Sequence, residues 1–364
     1  MRHAQSGSTK LTIAGGEKLE ELVRDLPAIW QAKLRREEAV HQALSALYYF
    51  HKDVDYLVRD EKVLIIDENT GRVMPDRSWE RGLQQMIEIK ENVPVTPQKE
   101  TLAKISFQLF FRRYLHLSGM TGTCREVARE VGDVYGLRVV RVAPNKKSQR
   151  IKYTSLILSD EEQRWDAAIK VITELHEIGR PVLVGTRSVK ASEELSKRLS
   201  EVVIPHQLLN AKQDNEEAKI IAQAGEAGRI TIATNMAGRG TDIILPVEVI
   251  ENGGLHVLLI ERNDNRRVDR QLAGRCARQG DPGSWQEIIS MQDTVLDGRK
   301  SSLKRCLQYL IEHYPDSRIS QLSVFWYTRY VQIKREGQSR KIRRRLLKGD
   351  FGLRKSLSFS GLME

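Results

Sequence analysis

The second half of the amino-acid sequence predicts an α/β fold, with a parallel sheet that helices cover on both faces. From about residue 151, short apolar runs alternate with amphipathic segments of helical period. The runs that predict strands are PVLVGT, HQLLN, RITIAT, HVLLIE and WQEIISM. Short continuous apolar runs separated by helices are typical of parallel strands that are buried on both faces.

The first half of the sequence predicts an α+β segment ahead of this sheet. Residues 17 to 50 carry a helical period that Pro27 interrupts. The stretch DYLVRDEKVLIIDENTGRV then alternates β-rich runs with turn residues, which predicts a hairpin. Two amphipathic helices are expected next, near Ser78 to Glu91 and Thr101 to His116.

The composition restricts the class of protein. A chain of 364 residues has room for two or three domains, and its net charge of +11 suits nucleic acid, an anionic membrane surface or acidic partners. Most of the surplus charge lies between Lys334 and Lys355. The three cysteines are too scattered for a disulfide framework or a CxxC metal site, which indicates a reducing cytoplasm. With no long apolar run and no signal-peptide pattern, the chain is expected to stay there or attach peripherally to a membrane.

The loops after the predicted strands are the expected binding edge, because ligands of parallel sheets lie outside the carboxyl ends of the strands. These loops contain GTRS, NMAGRGTD and ERND. In the second loop, Gly238 and Gly240 allow a tight turn and a close approach to a ligand. Thr241 and Asp242 can accept hydrogen bonds from a ribose or hold a metal-bound water.

One predicted helix further along, QLAGRCARQGD places Arg275 and Arg278 three residues apart, on one side of the helical pattern. Their forked donors suit a phosphoryl group that gains charge in a transition state. The alternative is a helix-capping turn at GRGTD and surface ion pairs at the arginines. Because the two motifs lie one element apart on the same sheet, we favour a nucleotide site.

Long stretches between about residue 45 and residue 295 resemble SecA, the bacterial preprotein translocase ATPase. The resemblance rests on VDYLVRDEKVLIIDENTGRVMPDRSWERGLQQMIEIKE, LFFRRYLHLSGMTGT, VLVGTRSVKASEELSKRL, LNAKQDNEEAKIIAQAG, RITIATNMAGRGTDI and GGLHVLLIERNDNRRVDRQLAGRCARQGDPGS. It implies that the parallel sheet is the second RecA-like motor domain of a P-loop NTPase.

The resemblance also implies roles for the two motifs. Asp242 would contact ATP, and Arg239 would belong to the same sensing loop, with Gly238, Gly240 and Thr241 beside it. Arg275 and Arg278 would be the arginine-finger positions. The chain departs from the family at Ala277, where the pattern usually has glycine, and the extra methyl group is expected to crowd the finger's approach.

The phosphate-binding half of such a site is missing from the sequence. There is no GxxxxGK[ST], and Lys18 in AGGEKLE lacks the required spacing. ATP and Mg²⁺ are therefore expected to bind only with a first motor domain supplied by a partner chain or a longer gene product. Asp67 and Glu68 in LIIDENT imitate a magnesium-binding motif, but the resemblance assigns them a structural place in the crosslinking domain. SGMTGT resembles the family's coupling motif, and a helix-terminating turn is its simpler interpretation.

The resemblance divides the chain into five predicted segments. They are a helical lead (1–44), a crosslinking-domain remnant (45–100), the end of the first motor domain (101–150), the second motor domain (151–295) and a helical, basic tail (296–364). The family's long helical scaffold is expected to be absent or replaced, and the basic run to be solvated. Trp326, Tyr327 and Tyr330 are expected to form a docking face for the tail helix.

Three functions are compatible with the sequence. The favoured one is a SecA-like component that couples ATP hydrolysis to preprotein transport, working with a membrane translocation channel and an anionic membrane surface at the bacterial inner membrane. The second is half of a nucleic-acid helicase, which MPDRSWERGLQQMIEIKE argues against because helicases have no such stretch. The third is a non-enzymatic polypeptide-binding module.

Overall fold

The computed structural model describes residues 12–67, 73–97, 105–209, 217–234, 240–293, 296, 302–315 and 317–357. The chain divides into two compact units. The first contains Met1–Thr101, Ser188–Lys190 and Asn210–Asp214. The second contains Leu102–Arg187, Ala191–Leu209 and Asn215–Glu364.

In the sequence of the first unit, helices come before and after three strands that form a small antiparallel sheet. Its elements are α1 (Ile13–Val23), a 3₁₀ turn (Ala28–Trp30), α2 (Lys33–Tyr48), β1 (Tyr56–Arg59), β2 (Lys62–Ile66), β3 (Val73–Met74) and α3 (Leu83–Lys90). The predicted hairpin is confirmed, because β1 and β2 pair antiparallel. Asp60 and Glu61 connect them with φ values of 51° and 56°, as a two-residue hairpin turn requires. The core of this unit consists of Ala46, Tyr56, Val63, Leu83 and Ile87.

In the second unit, the predicted parallel α/β fold is confirmed. Its strands are β4 (Gln149–Lys152), β5 (Leu156–Leu158), β6 (Val182–Thr186), β7 (Gln207–Leu209), β8 (Ile230–Thr234), β9 (Leu255–Leu259) and β10 (Pro282–Ser290). Within the described residues, the order is β4-β10-β9-β6-β8-β7, with β5 also paired to β10, and every pair is parallel. The strands β4 and β5 have no counterpart among the five predicted apolar runs. The predicted domain start at residue 151 falls inside β4.

Nine helices accompany this sheet within the described part of the chain. They are α4 (Phe107–Phe111), α5 (Ala128–Tyr135), α6 (Glu161–Glu177), α7 (Val189–Glu201), α8 (Glu217–Gln223), α9 (Val247–Glu251), α10 (Arg266–Ala273), α11 (Ser302–His313) and α12 (Arg318–Leu357).

The side chains of the central strands alternate between two hydrophobic clusters, as the pleat of a strand requires. On β6, Val182 and Val184 belong to the cluster that contains Trp165 and Ile172 of α6. Leu183 belongs to the other cluster, with Leu272 of α10. The sheet is therefore covered on both faces, as its continuous apolar runs predict.

The two predicted helices around residues 78 to 116 are shorter than expected. The first begins only at Leu83, because Arg81 and Gly82 have positive φ values of 59° and 82° and cannot continue a right-handed helix. The second is α4, which Ser106 caps by accepting a hydrogen bond from the backbone N–H of Leu109 at 3.3 Å. Residues 101–104 of that prediction lie outside the described residues.

The C-terminal tail, predicted to be helical and basic, contains α12, a helix of 40 residues whose apolar positions are packed while many of its cations stay exposed. Val324, Tyr327 and Val331 recur at helical spacing and are buried with Ile157 and Met291. Of the three predicted docking aromatics, only Tyr327 is buried. Trp326 is 65% exposed and Tyr330 is 56% exposed.

The second half of α12 packs against residues 105 to 135. Leu347 is buried with Leu109 and Val134. Arg343 donates to both carboxylate oxygens of Glu130, from Nε at 2.7 Å and from Nη2 at 2.9 Å. Charged residues in this helix therefore serve intramolecular packing as well as solvation. None of the described helices is long and apolar enough to cross a bilayer.

Candidate functional site

The two predicted arginines lie directly beyond the end of α10 and not within it. Gly274 ends the helix, donating its N–H to the carbonyl of Arg270 at 2.8 Å. The chain then winds through Ala277, Gln279 and Gly280, with φ values of 53°, 52° and 91°. The winding directs the side chains of Arg275 and Arg278 to the same neighbouring loop.

Both arginines contact the loop that follows β8. Arg275 Nη1 donates to the Thr241 carbonyl oxygen at 3.1 Å, and Arg278 Nη1 donates to Asp242 Oδ1 at 2.7 Å. The structure therefore brings together four of the seven residues predicted for the site, and Gly240, the fifth, lies next to Thr241 in the chain. Gly240 has a φ of 95°, and a Cβ there would meet no described atom within 4 Å. Gly238 and Arg239 lie outside the described residues.

Asp242 is held in its ionised form. The hydrogen bond from Arg278 is the main cause that lowers its pKa, and Gln279 Nε2 donates to the second carboxylate oxygen at 3.2 Å. Both members of the ion pair remain accessible, with side-chain exposures of 36% for Arg278 and 44% for Asp242. The pair can therefore exchange partners with an incoming anion or cation.

Arg275 is fixed more tightly than Arg278. It is 8% exposed, and the turn that carries it packs against β10. A Cβ on Gly283 of β10 would lie 2.6 Å from the backbone nitrogen of Ala277, so only glycine allows this approach. On the other side, a Cβ on Gly185 of β6 would lie 1.9 Å from Leu272 Cδ2, so that glycine lets α10 close onto the sheet.

The sequence reasoning missed Gln279, which contacts Asp242 at the site, and Arg270, which lies on the preceding helix and outside the site. Gln279 lies beside Arg278 in the RQGD run, which was the available signal. Arg270 donates from Nη2 to the Gly122 carbonyl oxygen at 3.1 Å and forms an ion pair with Glu126. The SGMTGT segment thus contacts the helix that precedes the two arginines. This contact is a physical connection between the segment that resembles the coupling motif and the candidate site.

The ERND loop, which was expected at the binding edge, is occupied by protein groups. Asp264 accepts from Arg187 Nη2 at 2.8 Å and from Arg335 Nη1 of α12 at 2.7 Å. Asn263 donates from Nδ2 to the buried carboxylate of Asp269 at 2.8 Å, and burial raises the pKa of Asp269 to about 6. These side chains anchor α12 and α10 to the loop at the carboxyl end of β9.

Other candidate groups are placed as follows. Asp67 follows β2 of the antiparallel sheet, and Glu68 lies outside the described residues. Within the part of the chain that the structure describes, no group of three or more His, Cys, Asp or Glu side chains is placed to hold a metal ion.

Replacing Ala277 with glycine is expected to raise the free energy of unfolding by about 0.5 kcal/mol. Ala277 is buried with a φ of 53°, a left-handed conformation that costs an L-residue about 1 kcal/mol, which the greater entropy of unfolded glycine partly offsets. Urea denaturation measures the change. Gly280→Ala is the matched control in the same turn and should be destabilising, because its φ is 91° and a Cβ would lie 2.7 Å from Lys146 Cδ. A destabilised Ala277→Gly would contradict the strain argument.

Comparison with known proteins agrees with the geometry. The model of the SecA P-loop domain matches residues 147–249 and 245–310, and that of the SecA preprotein cross-linking domain matches residues 2–88. The chain is 58% identical to protein translocase subunit SecA 3 of Magnetococcus marinus, over 98% of this chain and 54% of the relative. It is 46% identical to protein translocase subunit SecA 2 of Bordetella avium, over 96% of this chain and 53% of the relative.

The chain thus spans about half the length of the curated relatives that it matches. Coverage of 98% of the chain means that most of α12 has a counterpart in the Magnetococcus protein. The two domain models and the parallel sheet together lead to one conclusion: the chain belongs to the SecA family.

Proposed function

We propose that this chain provides the second motor domain and a polypeptide-contacting segment of a SecA-type ATPase that drives preprotein transport. The observation that carries the proposal is the convergence of Arg275 and Arg278 on Thr241 and Asp242. Two guanidinium groups beside an exposed carboxylate, next to an open loop at Gly240, form one side of a site for a nucleotide phosphate.

ATP with Mg²⁺ is the cofactor that this half-site fits. When bound, ATP supplies the phosphoryl group whose developing negative charge arginine donors stabilise. Arg275, buried and fixed to the Thr241 carbonyl, holds the loop in place. Arg278 can leave Asp242 for a phosphate oxygen, and Asp242 then becomes free to accept from a ligand hydroxyl. The phosphate loop that would hold the opposite side is proposed to come from a first motor domain outside this segment.

The purified chain is expected to hydrolyse ATP negligibly, because electrostatic positioning of the phosphoryl group provides most of the catalysis in this reaction class. Adding a separately expressed chain that carries a first motor domain with GxxxxGKT should restore turnover by at least about 10³-fold. Steady-state phosphate release measures both. Asp242→Ala should abolish the restored activity. Turnover by the chain alone at the level of an intact motor would refute the proposal.

The match of residues 2–88 to the SecA preprotein cross-linking domain supports an unfolded preprotein as a partner and a membrane translocation channel as the place of action. A non-enzymatic binding module would bind unfolded polypeptide without any dependence on ATP. A helicase half would prefer nucleic acid. Crosslinking of the complemented assembly to a labelled preprotein, with and without ATP, separates transport from both alternatives.

Association with an anionic membrane is proposed to depend on exposed cations of α12. Arg344, Arg345 and Lys348 are exposed, whereas Leu347 is buried and not free to enter a bilayer. Replacing these three cations with glutamine should weaken binding to anionic vesicles by about 100-fold at low salt, at about 1 kcal/mol for each charge. Because exposed charges are screened over about 8 Å at physiological ionic strength, added salt should weaken wild-type binding in the same way.

Co-sedimentation with anionic and neutral vesicles measures this binding. The matched control replaces three exposed cations outside α12, namely Arg138, Arg141 and Lys147, with glutamine. Equal losses in the two triple variants would show that net charge, and not α12, controls the association. Displacement of vesicles by an oligonucleotide would favour the helicase alternative.

A further inference from the structure

A cleft of about 600 Å³ opens in the second unit, between the edge of the sheet and two helices. Its floor comes from the edge strand β4 and its neighbour β10. Arg150 pairs with Gly283, and Lys152 pairs with Trp285, so Arg150 and Lys152 lie two residues apart and point to the same face of the sheet. None of the residues proposed for the nucleotide site lines this cleft.

The two helices present further cations to the cleft. From α10 come Arg266 and Arg270, four residues apart on one face of the helix. From α12 come Trp326 and Arg329. The indole of Trp326 is largely exposed, so an apolar surface borders the charged interior.

The charges that line the cleft do not balance. Five cations and two carboxylates, Asp269 and Glu287, line the cleft. Arg266 pairs with Glu336 and Arg270 with Glu126, and both lining carboxylates are buried and already engaged, which leaves Arg150 and Arg329 without an anionic partner. Asp269 accepts from Asn263 at 2.8 Å and from Gln332 at 2.7 Å. Glu287 accepts from Arg262 at 3.0 Å and lies 3.6 Å from Lys152 Nζ.

Arg329 is the centre of this imbalance. Within the described residues, no carboxylate pairs with it and no group accepts a hydrogen bond from it. Loss of hydration and then the nearby charges of Arg266 and Arg262 lower the pKa of its guanidinium, and Glu287 and Glu336 oppose this shift only in part. Arg150 donates to the Cys276 carbonyl at 2.8 Å and 3.2 Å, a neutral partner that leaves its charge uncompensated. Cations that lie close together without an anionic partner repel one another, and a bound anion removes this cost.

We propose that this cleft binds the phosphate group of a ligand. Arg329 and Arg150 contact the phosphate, and Trp326 packs against the rest of the ligand. Arginine forks bind phosphate oxygens in pairs, and the cleft has the volume of a small-molecule site and not of a long peptide groove. The phosphate belongs either to a soluble compound or to the headgroup of an anionic lipid. The chemistry of recognition is the same for both.

Isothermal titration of the full chain with inorganic pyrophosphate is the primary test. Arg329→Gln should weaken binding at least about tenfold, and Arg150→Gln should do so independently. Arg138→Gln removes the same charge from an exposed position outside the cleft and should leave binding unchanged. Arg329→Gln should not lower the melting temperature, because it removes an unpaired cation. A melting temperature that falls by several degrees, with no effect of Arg150→Gln on pyrophosphate binding, would overturn the assignment.

Two further arms separate this site from the proposed nucleotide site and identify the source of the phosphate. Loss of pyrophosphate binding in Arg278→Gln, with none in Arg329→Gln, would overturn the proposal while leaving the nucleotide half-site intact. If vesicles containing phosphatidylglycerol also lose affinity for Arg329→Gln, and phosphatidylcholine vesicles do not bind, a lipid headgroup is the ligand. If only pyrophosphate binding is lost, the ligand is a soluble phosphate compound. No pyrophosphate binding by the wild-type chain would exclude the site.

Discussion

Replacing Arg164 with methionine should lower the free energy of unfolding by about 3 kcal/mol, because it leaves buried carboxylates without their cation. The Arg164 side chain is 2% exposed. Its Nη1 lies 2.5 Å from Asp293 Oδ1 and 3.4 Å from Glu261 Oε1. Glu261, in the loop after β9, also accepts from the backbone N–H of Arg187, after β6, at 3.3 Å. By holding Glu261, Arg164 therefore stabilises both loops.

The cost of this substitution should depend on pH. Burial raises the pKa of Asp293 to about 7, although Arg164 opposes the rise. A carboxyl whose pKa is higher in the folded state stabilises the fold fully below its unfolded pKa, and this contribution is lost as the pH rises through the folded pKa. Removing Arg164 raises the folded pKa further. The variant should therefore lose more stability relative to the wild type at pH 8 than at pH 6, where Asp293 can remain protonated.

Urea denaturation of the two proteins at both pH values measures the effect. Lys197→Met is the control, because Lys197 forms an exposed pair with Glu201 at 4.0 Å and should cost less than about 1 kcal/mol. The double variant Arg164→Met with Asp293→Asn should recover most of the loss. A loss in Arg164→Met as small as that in the control would show that the buried cation is not needed.

The central strands could be predicted from the sequence because strands buried on both faces consist almost entirely of apolar residues. Residues of β6, β8 and β9 are all buried, so they read as continuous apolar runs. Strand β4 consists of QRIK and is exposed at every position, and an edge strand of this kind has no apolar signal. The parallel fold was therefore predictable, whereas its edge strand β4, which forms part of the proposed phosphate cleft, was not.

The C-terminal helix shows how composition can mislead. Its high charge suggested a solvated tail, yet Val324, Tyr327 and Val331 carry an apolar stripe at helical spacing. Arg343 forms an ion pair with Glu130, a partner more than two hundred residues away in the sequence. Local sequence cannot show such pairs, because they depend on the tertiary fold.

At the candidate site, residue types were predictable but geometry was not. The glycines and arginines of the two motifs indicated a nucleotide loop. The approach of Arg278 to Asp242 depends on the positive φ values of Ala277 and Gln279, neither of which is a residue that signals such a turn. Gln279 was missed although it lies in the RQGD run, because the run does not show that its side chain reaches Asp242.

Replacing Arg278 with alanine should reduce ATP turnover of the complemented assembly by about 10³-fold, the effect typical of losing an arginine finger. In the structure Arg278 is paired with Asp242 but remains 36% exposed, so its guanidinium is available to a phosphate once the ion pair opens. Arg278→Lys should recover only part of the activity, because a lysine cannot reproduce the paired donors of arginine.

Substrate affinity separates this role from a structural one. If Arg278 stabilises the transition state, kcat falls while KM changes little; if it only holds Asp242 and its loop, KM rises and Asp242→Asn has the same effect. Arg275→Ala is expected to show the second pattern, because Arg275 is buried and donates to the Thr241 carbonyl. Arg141→Ala, at an exposed position outside the site, is the control for charge. Steady-state kinetics of the four variants test the assignment, and unchanged kcat in Arg278→Ala would remove Arg278 from the catalytic machinery.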